Sequence, residues 1–139
     1  MTRTDALARA KHARGFLSAA EIITEFADEI GDDAVSTVVS SLAVLAGIAA
    51  ADAICGIALK QRSSSDDHAE AARMLATVGS RGSEYARDLG RLVAAKSGVQ
   101  YSPRLVTPTV ARDLTRYARR LVDGMENELR GPTGGREPG

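Results

Sequence analysis

The stretch AVSTVVSSLAVLAGIAAADAICGIALK, residues 34–60, decides the fold. Its large apolar residues, among them Val35, Val39, Leu42, Val44, Leu45, Ile48, Ile54, Ile57 and Leu59, fall on every side of a helix. A helix that is apolar all round is buried by its neighbours or by a second subunit. Ala43, Gly47, Ala50, Ala51 and Gly56 are small enough to let other backbones come close. The length would also suit a membrane span. Asp52 lies inside the run, however, Ser, Thr, Gly and Ala are frequent, and no Trp/Tyr belt flanks it. The expectation is therefore a cytosolic protein with a buried core helix and no membrane. Cys55, the single cysteine of the chain, reads as a small buried hydrophobe in a reducing compartment. A monomer of 139 residues leaves part of such a helix uncovered, so a homodimer is expected.

Outward from this helix the pattern stays helical. Upstream, from about Thr4 as N-cap to Ile30, Leu7, Ala10, Ala13, Leu17, Ala20, Ile23, Ala27 and Ile30 recur at three- and four-residue steps. Phe16 and Phe26 widen that stripe, and Gly31-Asp32-Asp33 supplies a stop and a new cap. Downstream, a polar connector over 61–67 leads to a third helix at about 66–78. A fourth is expected over 84–97, capped by Ser83 and facing inward with Tyr85, Leu89, Leu92 and Val93. A loop over 98–106 precedes Thr107-Pro108, an N-cap with Pro at the first helical position. The last helix runs to about Leu129 on Val110, Leu114, Tyr117, Leu121, Val122 and Met125. The fold class is thus all-α: a five-helix bundle around a buried central helix, one domain over 1–130 with a disordered tail at 131–139.

Charge cancels over the chain, with 18 bases and 18 acids, yet it is unevenly placed. Residues 21–70 hold ten acids against Lys60 and Arg62, while residues 81–120 hold nine bases against Glu84, Asp88 and Asp113. Such asymmetry either steers an anionic partner to one face or lets acidic and basic helices attract each other within the fold or a dimer.

No Gly-rich phosphate loop, Cys/His metal spacing or nucleophile elbow is present, so neither a cofactor nor a metal is expected. Of the two histidines, His12 lies beside Lys11 and Arg14 and reads as solvated. His68 follows the connector Arg62-Ser63-Ser64-Ser65-Asp66-Asp67. An imidazole can move a proton near neutral pH. A guanidinium nearby can hold a phosphate and its developing charge. Together they suit cleavage of RNA by its own 2′-hydroxyl, a reaction that needs no metal. The structural alternative is plain: Asp66 and Asp67 favour a helix N-terminus, and His68 is a first-turn residue. Asp52 interrupts an apolar stripe and must be paired. It either orients His68 or bridges to Tyr85, Tyr101 or an arginine. Tyr101, beside Pro103 and Arg104, reads as a packed ring with a satisfied hydroxyl or as a ligand contact.

The order of these elements resembles the HEPN superfamily of prokaryotic helical domains. The likeness rests on the Ala-rich VLAGIAAADAICGIAL (44–59), the hinge and helix DDHAEAARML (66–75), KSGVQY (96–101), and a last helix rich in Ala and Arg. It implies a dimeric helical bundle. Active members are metal-independent ribonucleases of toxin or defence systems, with an Arg and a His separated by four to six residues at the dimer cleft. Carried onto this chain, Arg62 and His68 are the catalytic pair, with Asp52, Ser63, Asp67 and Tyr101 in support. Arg104, Arg112, Arg116, Arg119 and Arg120 would hold RNA phosphates. The chain departs from the pattern at Ser63, where an Asn, Asp or His is usual after the Arg. Inactive members serve instead as interaction modules, so an antitoxin, a nucleotidyltransferase or a nucleotide is the alternative partner.

Overall fold

The computed structural model describes residues 2–60, 68–101 and 106–131, without the side chains of residues 97, 98, 100 and 101. Arg62, Ser63, Asp67, Arg104 and the tail from 132 lie outside the described residues, as does the Tyr101 side chain. Six helices and no strand are found among them: α1 (Arg3–Glu25), α2 (Ala27–Ile30), α3 (Val35–Ala58), α4 (His68–Leu75), α5 (Gly82–Tyr101) and α6 (Pro108–Leu129).

The sixth element arises at Phe26, where φ −105° and ψ 20° interrupt the expected first helix and leave α2 as a one-turn extension. Gly31, at φ +65°, ends that turn in the left-handed region and donates its N–H to the Ala27 carbonyl at 3.0 Å. At the other end the cap is Thr2, not Thr4. Thr2 Oγ1 accepts from the Asp5 N–H at 3.0 Å, and the Asp5 carboxylate accepts from the Thr2 N–H at 3.2 Å. Thr4 would have Leu7 in the third helical position and so could form no such reciprocal box.

The central helix is α3, which packs against α1, α4, α5 and α6. It packs most extensively against α1, and both helices bury small residues: Ala6, Ala10, Ala13 and Ala20 on α1, and Ala43, Ala46, Ala49, Ala50 and Ala53 on α3, all fully buried. Gly47 lets Leu92 of α5 come equally close, since a Cβ there would lie 2.3 Å from Leu92 Cδ1. One chain thus covers most of α3, more than its patterning predicts. Only Val38 and Leu45 stay 46% and 40% exposed among its large apolar residues, so the case for a second subunit rests on that stripe rather than on the whole circumference. By length and composition α3 could cross a membrane, but two thirds of its most apolar window is buried inside the bundle.

Two further boundaries depart from expectation. Helix α5 begins at Gly82, one residue before the expected cap, and only glycine fits there, since a Cβ would meet the Leu75 and Ala76 carbonyl oxygens at 2.6 Å. It then continues through Gly98 to Tyr101 instead of ending at 97. Val99, two turns beyond Leu92, is buried in the core, and that burial outweighs the weak helix propensity of Gly98. Helix α6 starts as expected, with Thr107 Oγ1 accepting from the Val110 N–H at 3.2 Å and Pro108 in the first turn.

Cys55 is 2% exposed, and burial, followed by the negative charge of Asp52, pushes its thiol up to about 11. It is expected to react with a disulfide reagent at pH 8 at least ~100-fold more slowly than in the urea-unfolded chain, because reaction needs local opening. A rate near that of the unfolded chain would show that solvent reaches the centre of α3.

Candidate functional site

Two groups of charged side chains flank the central helix. The first lies on α1 and α3. Asp52 is held three-quarters buried on α3, and Arg9 of α1 reaches it with Nη2–Oδ2 at 3.3 Å. Arg9 Nη1 also comes within 3.4 Å of His12 Nδ1, and the His12 ring lies 6.4 Å from that of Phe16. Asp52 is therefore a bridge to an arginine, as one of its two readings anticipates. Tyr85 is engaged elsewhere: its hydroxyl donates to Glu128 Oε2 at 3.0 Å, and burial above all pushes it up to about 12.

Past Asp52, α3 ends at Ala58, and Lys60 turns the chain with φ +55°. His68 then opens α4, half-buried, with no hydrogen bond or ion pair to its ring among the described residues. His68 thus lies on a helix, as expected, and the residues just before it are outside the described ones. The partner Arg62 lies outside the described residues, so the geometry of the pair is not on view.

The second group joins α5 and α6. Arg120 forks onto Asp88, with Nε–Oδ2 at 3.1 Å and Nη2–Oδ1 at 2.7 Å. Asp88 is 5% exposed, and Arg91 stands 3.7 Å from the same oxygen. The guanidinium groups of Arg91, Arg116 and Arg120 all lie 5.0–5.4 Å from the Tyr117 ring centroid. This is a cation–π cluster that one carboxylate partly neutralises. Beside it is a shallow cleft of about 170 Å3, lined by Arg81, Glu84, Asp88, Arg120 and Asp123 among others. Acid and base alternate around it, so it presents no uniform field to a phosphate chain.

Three further arginines nominated for RNA, Arg112, Arg116 and Arg119, are also engaged within the chain. Arg119 forks onto Glu21 of α1 and lies 3.6 Å from Asp123. Arg116 pairs with Asp113 at 3.2 Å, and Arg112 donates to Thr109 Oγ1 at 3.2 Å. Arg14 makes a further fork to Glu126 at 2.7 and 2.8 Å. The hydrogen bonds to these carboxylates raise Arg14, Arg119 and Arg120 above the usual guanidinium range, and the Arg14 bond lowers Glu126. Of these pairs only Arg119–Glu21 joins the acidic segment 21–70 to the basic segment 81–120, while the Arg14 and Arg120 forks tie α6 to α1 and α5.

Asp88 and Arg9 were missed as partners. A signal for Asp88 existed: with Tyr85, Leu89 and Leu92 it occupies one helical stripe, and an acid on an apolar stripe needs a cation. The exposed end of α1 and α2 was misread. Leu7, Phe26 and Ile30, expected inside, are 42%, 50% and 50% exposed. The buried ladder of α1 stops at Ala20, and no residue of α2 is buried. Comparison with known proteins finds no matching family model, no curated relative and no similar solved structure.

Proposed function

We propose that this chain is a HEPN-like helical protein of the cytosol that acts as a non-catalytic interaction module for a protein partner. The observation that carries the reading is the engagement of the α5–α6 arginines. Arg116, Arg119 and Arg120 are each held by a carboxylate of the same chain, which leaves them poorly disposed to release counterions from RNA. Two copies would associate through α3, where exposed Val38 and Leu45 are the apolar surface a second copy would cover. An antitoxin or a nucleotidyltransferase is the kind of partner that the resemblance suggests.

One observation favours a second reading, a metal-independent endoribonuclease. His68 stands partly buried on α4, in sequence directly after the connector that carries Arg62. In that reading His68 moves the protons and Arg62 stabilises the charge on the phosphorus-centred transition state. The two readings separate in one assay. Purified protein is incubated with single-stranded RNA in EDTA, alongside His68→Ala. The module reading expects intact RNA in both tubes. Cleavage that survives EDTA and disappears in His68→Ala would transfer the conclusion to the ribonuclease.

A further inference from the structure

The end of α1 and the whole of α2 form an apolar column that nothing among the described residues covers. Ile22, Phe26 and Ile30 follow one another at four-residue steps. The Phe26 N–H donates to the Ile22 carbonyl at 3.2 Å and the Ile30 N–H to the Phe26 carbonyl at 3.0 Å, so the three residues lie on one helical line despite the break at Phe26. Their exposures are 57%, 50% and 50%. Half-exposed single residues are ordinary on a protein surface, whereas three in a row on one line are a patch.

The segment that carries this column has side chains of one sign. Residues 21–33 hold Glu21, Glu25, Asp28, Glu29, Asp32 and Asp33 and no base. Glu21 is taken by Arg119, and Asp32 accepts the Ala34 N–H at 2.7 Å. No cation pairs with Glu25, Asp28, Glu29 or Asp33 among the described residues. This contrasts with the rest of the bundle, where Asp52, Asp88, Asp113 and Glu126 all face arginines.

Apolar column and acidic segment together define the chemistry of what would cover them. A second copy placed symmetrically on this face would set the acids of both copies against one another, and like charges across an interface oppose association. A second copy placed head to tail would leave the same patch open at the end of every chain, which builds filaments rather than a closed dimer. A helix with an apolar stripe at three- and four-residue spacing and Lys or Arg on its flanks meets both demands. We propose that the Ile22–Phe26–Ile30 column docks a basic amphipathic helix of a partner protein. This rests on the module reading and adds the place and the charge of the partner.

The test uses the full-length protein and two synthetic 18-residue amphipathic peptides with the same leucine stripe, one flanked by Lys and Arg, the other by Glu. Backbone amide shifts on titration locate the site, and fluorescence anisotropy gives the affinity. The expected result is binding of the basic peptide only, with shifts centred on residues 22–33. Affinity should fall at least ~10-fold between 50 and 500 mM salt as the charges are screened. Because Phe26 is half-exposed, Phe26→Glu should keep the wild-type melting temperature and weaken binding at least ~10-fold, the size usual for an aromatic anchor. Neutralising Glu25, Asp28 and Glu29 together should weaken binding and flatten the salt dependence. Equal binding of the acidic peptide, shifts centred elsewhere, or self-association abolished by Phe26→Glu would each overturn the proposal, the last by assigning the face to a second copy. EDTA-resistant cleavage of RNA would overturn the module reading even if the peptide binds. Intact RNA without peptide binding would remove only this partner chemistry.

Discussion

Gly124→Val is expected to lower the stability of the protein by about 2–3 kcal/mol, the upper part of the range for overpacking a well-filled site. A Cβ at Gly124 would lie 2.3 Å from Cε1 and 2.9 Å from Cζ of the Tyr85 ring. That ring has little room to retreat, being 4% exposed with its hydroxyl bonded to Glu128. The glycine is therefore the space in α6 that the tyrosine of α5 fills. The account has a second consequence with the opposite sign. In a Tyr85→Ala background the clash is gone, and Gly124→Ala should stabilise the chain by up to about 1 kcal/mol through helix propensity alone. Urea unfolding of the four chains of that cycle, Tyr85→Ala with and without Gly124→Ala against the same pair in the wild-type background, measures the coupling. If Gly124→Ala has the same effect in both backgrounds, Tyr85 is not the cause.

Arg120→Met should lower stability by about 2 kcal/mol. Removing one partner of a fully buried pair costs about 3–5 kcal/mol, and the half-exposed guanidinium lets water relieve part of that. What remains is Asp88, 5% exposed, with Arg91 at 3.7 Å as its remaining ion-pair partner. The double variant Asp88→Leu/Arg120→Met removes the buried charge together with its partner. It should recover most of the loss, since an apolar pair of similar volume replaces a buried ion pair at little cost. A double variant no more stable than Arg120→Met would mean that the fork matters for its geometry and not for neutralising Asp88.

How far the primary structure could be read differs between the core and its edges. The central helix, the cap at Thr107 with Pro108, and the inward Leu114, Leu121, Val122 and Met125 follow directly from residue spacing. The outward turn of Phe26 and Ile30 does not, because a periodic stripe says which residues share a face without saying where the neighbouring helix ends. The same holds for α5, whose extension past Gly98 depends on a core position for Val99. For the candidate site, a helix carrying His68 after the polar run was legible. The roles of the arginines were not, since composition shows a basic tract but not the carboxylates folded against it.

The 34–60 stretch by itself determined that the protein is an α-bundle with one helix at its centre. A helix apolar over its full circumference must be buried in protein or in a membrane, and Asp52 with the many small residues favours the first. Tertiary structure decided how completely one chain covers that helix, because the alanine ladders of α1 and α3 approach more closely than large side chains would allow. It also decided which charges cancel within the bundle and which stay open. An ion pair depends on a meeting of a few ångströms between residues as distant in sequence as Arg14 and Glu126, and spacing along the chain carries no record of that meeting.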